Sequence, residues 1–101
     1  MRINRNPVLP LLKEIVERVK GVENAAALVA RGANERAATA RASYKSEPSE
    51  EGAITMLKAS TDANSAHEAW VDAVEKVTEA MEVHEFVTAA LEAKEGKHTI
   101  Q

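Results

Sequence analysis

The sequence predicts a mainly α fold, two long antiparallel helices with residues 44–60 as a short β-ribbon or arm at the turn; an all-α helical hairpin is the alternative. Three observations carry this expectation. An apolar seam with heptad spacing runs through residues 12–33, a second runs through residues 66–91, and a polar segment rich in turn residues separates them.

The first helix is predicted over residues 8–43. Leu12, Ile15, Val19, Val22, Ala26, Val29 and Ala33 are spaced 3, 4, 3, 4, 3, 4, a stripe that only a helix gathers on one side. Asn6 before Pro7 offers an N-cap followed by proline at the first helical position, and Pro10 is tolerated in the same first turn. Gly21 and Gly32 each cost about 1 kcal/mol against alanine inside a helix. The apolar phase runs through both, which favours one continuous helix over an end at Gly21 with Val22 as its closing contact. From Ala37 to Ala42 the seam becomes alanine.

Lys45 to Gly52 has turn residues and no apolar side chain, so the chain is expected to reverse there. Ala53-Ile54-Thr55-Met56-Leu57 fits either a short strand pairing near Tyr44 or the start of a helix capped by Ser49. Lys58 to Asn64 is too polar to read as a helix centre. Ser65-Ala66-His67-Glu68 reads as a capping box, which opens a second helix over 65–95. Its seam is Ala66, Trp70, Ala73, Val77, Ala80, His84, Val87 and Leu91, widened by Val74 and Met81. Gly96, between Lys94 and Lys97, is the expected end, and 97–101 the expected tail.

One domain accounts for 101 residues. Nineteen of them are alanine and only three are aromatic, so the core is thin and needs close helix contact or a partner. The absence of cysteine excludes disulfides, thiolate metal sites and a cysteine nucleophile. No apolar window reaches a membrane span, and the first ten residues contain no secretory core, so a soluble chain without a signal peptide is expected, in a virion or the cytoplasm. The net charge of −3 hides a split: residues 1–50 carry +3 and residues 51–101 carry −6. That split fits pairing within the chain, or subunits stacked basic face to acidic face. Basic residues scattered singly, with no aromatic among them, argue against a direct nucleic-acid ligand.

No residue pattern points to catalysis. His67, His84 and His98 lack a second histidine at helical ligand spacing, and His84 falls on the apolar seam as an interface histidine. Glu68, Asp72, Glu75, Glu79 and Glu82 read as a solvated acidic flank. No cofactor or metal is expected. Trp70, the largest apolar side chain of its helix, is a core anchor or a partner's hot spot. The candidate interface residues are Trp70, Val74, Val77, Met81 and His84 from the apolar side and Arg31, Arg36 and Arg41 from the basic side.

Two family resemblances follow from these segments. Ala25 to Ser43, the Pro48 to Gly52 spacing with Ile54 beyond it, Ser60 to Glu68 and Phe86-Val87-Thr88-Ala89-Ala90-Leu91 resemble, in this order, the small neck and tail-completion proteins of tailed phages. That resemblance implies a long first helix, short strands after the turn, a closing helix and a place in a ring between capsid and tail. The length, the lack of cysteine and the two long helices are also similar to the helical-hairpin proteins of type VII secretion. Those carry Trp-x-Gly in the turn, whereas the only tryptophan here reads Trp70-Val71-Asp72. Both imply a non-enzymatic protein acting through protein partners: the first a homo-oligomer, the second a one-to-one heterodimer.

Overall fold

The computed structural model describes residues 8–100, with side chains described over 8–94. The Asn6 cap and Gln101 of the expected tail lie outside these residues. Two helices, α1 (Val8–Ser46) and α2 (Glu50–Ile100), pack along their length as an antiparallel hairpin, with no strand among the described residues. The molecule measures 78 × 20 × 14 Å. With a helix diameter of about 10–12 Å, that cross-section is two helices side by side.

The reversal takes only Glu47, Pro48 and Ser49. Pro48 cannot donate to the end of α1, and Lys45 stands in the last turn, where a cation suits the helix dipole. Ser49 is the N-cap of α2: its hydroxyl accepts the backbone N–H of Gly52 at 2.9 Å, and its carbonyl accepts that of Ala53 at 3.0 Å. Glu50 and Glu51 then place two carboxylates at the positive end of the dipole. A side chain at Gly52 would bring its Cβ to 3.0 Å from the Ser49 hydroxyl and 3.5 Å from the Tyr44 ring, so the turn closes tightly where glycine stands.

This corrects the predicted arm at 44–60. Residues 44–46 finish α1, and 50–60 already belong to α2, as in the all-helical alternative. Ser65 is an exposed residue within α2 and caps nothing. The polar run 58–65 stays helical because Ala59 and Ala63 keep the seam in phase and Lys58, Thr61, Asp62, Asn64 and Ser65 face water; the Thr61 hydroxyl donates to the Leu57 carbonyl at 3.0 Å without breaking the helix. Gly21 does not interrupt α1, and α2 passes Gly96 to reach Ile100, because a glycine permits a left-handed cap without forcing one.

Burial reveals the real seam. In α1 the covered positions are Leu9, Leu12, Val16, Val19, Glu23, Ala26, Ala30, Ala33, Ala37, Ala40 and Tyr44, with spacings of 3 and 4 throughout. Ile15, Val22 and Val29, predicted on this seam, lie one residue to its side at 45%, 58% and 59% exposure. In α2 the predicted seam from Ala66 to Leu91 faces α1 as read, and it continues back through Ala63, Ala59, Met56 and Gly52. Among the described residues the buried side chains are all alanine, with Ala33, Ala37 and Ala63 forming the centre and Ala59 and Ala66 packed on it. Small side chains on both seams permit close approach of the helix axes.

Candidate interaction surface

Two packed helices form two outer grooves, one along each side of the seam. On the first side, Lys13, Val16, Glu17 and Lys20 of α1 meet Met81, His84 and Glu85 of α2. Nearer the turn the same side carries Ala27, Ala30, Arg31, Asn34 and Ala38 opposite His67 and Trp70. On the second side, Leu12, Ile15 and Val19 meet Lys76, Glu79, Ala80 and Val83. Gly32, Arg36, Ala40 and Thr55 line that side towards the turn.

The sequence-predicted interface residues divide between these surfaces. Trp70, Val77 and His84 are half-buried on the seam and already touch α1. Val74 and Met81 flank it, 37% and 39% exposed. Trp70 anchors the hairpin, because its indole N–H donates to Glu23 Oε2 at 2.8 Å and its ring meets that of His67 at 5.8 Å, tilted by 57°. Glu23 stands on the seam for this bond, a polar residue where apolar spacing alone would look for a hydrophobe. Arg31, Arg36 and Arg41 are exposed but do not form one patch. Five residues apart on a helix, they wind about its axis, and Arg31 and Arg36 line opposite sides of the hairpin.

A second apolar stripe escapes the hairpin. Val8, Leu11, Ile15, Val22 and Val29 run down α1 beside the seam, between 45% and 59% exposed. Val83, 49% exposed, adjoins Ile15 across the second groove, and Phe86, 74% exposed, follows one turn further along α2. The signal was present in the sequence, since Ile15, Val22 and Val29 have heptad spacing; the sequence reading assigned them to contact with α2. Among the described residues, no group of three histidine, aspartate or glutamate side chains converges as a metal site, and no helix is long and apolar enough to cross a membrane. Compared with protein-family models, curated proteins and solved structures, the chain matches none.

Proposed function

We propose that the chain is a structural subunit that works by association with copies of itself and not by catalysis. One observation carries this reading: after α1 and α2 have packed, thirteen large apolar side chains remain 37–74% exposed, five of them in a regular stripe. Contiguous apolar surface of this kind marks association surfaces. A place in a virion neck would come from the resemblance to tail-completion proteins, whose short strands after the turn have no counterpart in residues 50–64, which are helix.

The two-helix form with its three-residue turn supports a second reading, a secretion-type hairpin that pairs one-to-one with a different protein. Sedimentation equilibrium of the purified chain tests the choice. A mass above 10.9 kDa supports self-association, and a monomer at every concentration overturns it in favour of a foreign partner. Coding-sequence neighbours give a second test: capsid, portal and tail genes favour the virion role, a secretion ATPase the other.

A further inference from the structure

We infer that the exposed stripe of α1 is the contact surface for a second copy of this chain, the two α1 helices running antiparallel about a twofold axis near residue 20 to make a four-helix bundle. The inference deepens the self-association reading by naming the face and the geometry.

Three observations select a second copy. The first is area: a compact monomer of 10.9 kDa exposes about 5,600 Å², whereas this chain exposes 7779 Å². The surplus of about 2,200 Å² exceeds the ~800 Å² per partner that a standard interface uses.

The second is the order of side chains. The stripe steps 3, 4, 3, 4, 3, 4, 3 from Val8 to Gly32, and that series reads the same in both directions. An isologous pair requires such self-complementarity. Laid antiparallel, it sets Val8 across from Gly32 and Ile15 across from Ala25, bulky against small, and Leu11 across from Val29. Gly32 is free to serve in this way, with only the Arg36 side chain near its vacant Cβ position, at 3.5 Å.

The third is charge. The one charged residue on the stripe, Arg18, falls across from Val22 of the other copy. The adjoining edge of α2 carries Asp72, Lys76 and Glu79, the last two on the rim of the apolar groove. Val83 adjoins the same face towards the open end of the hairpin.

Sedimentation velocity on the full chain tests the face. The wild type is expected at twice 10.9 kDa. Leu11→Glu combined with Val22→Glu should reduce it to monomer with unchanged helical circular dichroism, and Val74→Glu with Met81→Glu, on the opposite side, should leave the dimer. Dissociation by the second pair alone would overturn the face while preserving self-association; a monomeric wild type would overturn both. A single cysteine tests the geometry without disturbing the stripe. Gly21 is exposed with open space around its Cβ position and would lie beside its own copy at the twofold axis. The chain has no other cysteine. Gly21→Cys should be cross-linked to a covalent dimer by a short bismaleimide, and Thr78→Cys should not; the reverse result rejects the antiparallel pairing.

Discussion

Trp70 is the largest side chain on either seam, and it packs among neighbours that are mostly alanine. Its two contributions separate by substitution. Trp70→Phe keeps an aromatic ring but loses the bond to Glu23, and should lower unfolding free energy by about 1 kcal/mol. Trp70→Ala also removes the ring and should cost about 3 kcal/mol, the low end for a large aromatic because the residue is only half-buried. Urea titrations followed by circular dichroism measure both. Equal effects would show that the Glu23 bond contributes nothing. At the turn, Ser49→Ala should cost about 1 kcal/mol in the same assay and Ser49→Asp little, since aspartate caps a helix as well as serine does.

At the scale of the element, glycine placement separates two kinds of position. Gly21 sits in unbroken helix with nothing within 4 Å of the vacant Cβ position. Gly21→Ala should therefore raise the thermal midpoint, by the equivalent of about 1 kcal/mol; a fall would reveal a contact at this surface incompatible with a methyl group. How far the helices were legible follows from the same local logic. The seam of α2 was readable from Ala66 to Leu91 because one stripe there is apolar and its flanks are acidic. It was missed before Ser65 because the inward residues other than Met56 are small, Gly52, Ala59 and Ala63, while serine, threonine and asparagine crowd the outward positions. In α1 the difficulty was reversed. Leu12, Val19, Ala26 and Ala33 belong to the seam on either reading, but the bulkier Ile15, Val22 and Val29 outweighed Val16, Glu23 and Ala30. Bulk misled because a helix packing on alanine takes its small side inward and leaves its large side chains outside. The interface candidates read from the sequence fall on α2 and on three scattered arginines of α1, and the open stripe of α1 is not among them, because which side of α1 faces outward depends on the rotation of the helix about its axis, which composition does not determine.

At the scale of the molecule, a radius of gyration of 22.7 Å describes a rod; about 13 Å is usual for a compact chain of this length. The two helices of opposite net charge lie side by side in one chain, the exposed stripe carries only Arg18 as a charged residue, and Arg31, Arg36 and Arg41 point in different directions. The measured mass should therefore hold as salt rises from about 0.05 to 0.5 M, where the Debye length falls from roughly 14 to 4 Å. Dissociation at high salt, or on changing the three arginines to glutamate, would assign assembly to basic faces stacked on acidic ones.

The three-residue turn also makes the hairpin a zipper. Tyr44 meets Gly52 across 8 residues of chain, Glu23 meets Trp70 across 47, and Val16 and His84 share a groove across 68. Each doubling of the closed segment adds only about 0.6 kcal/mol of entropy, but contacts far from the turn form only after those between them and the turn, so opening starts at the far end. The exposed stripe from Val8 to Val29 lies in that far half. A second copy seated there would clasp the end that the turn leaves free, giving the rod one covalent and one concentration-dependent fastening. Amide exchange should then slow between residues 12 and 29 as protein concentration rises, while exchange around Ala33, Ala37 and Ala63, near the turn, stays constant. Exchange that is independent of concentration along the whole of α1 would mean that the turn alone holds the helices together.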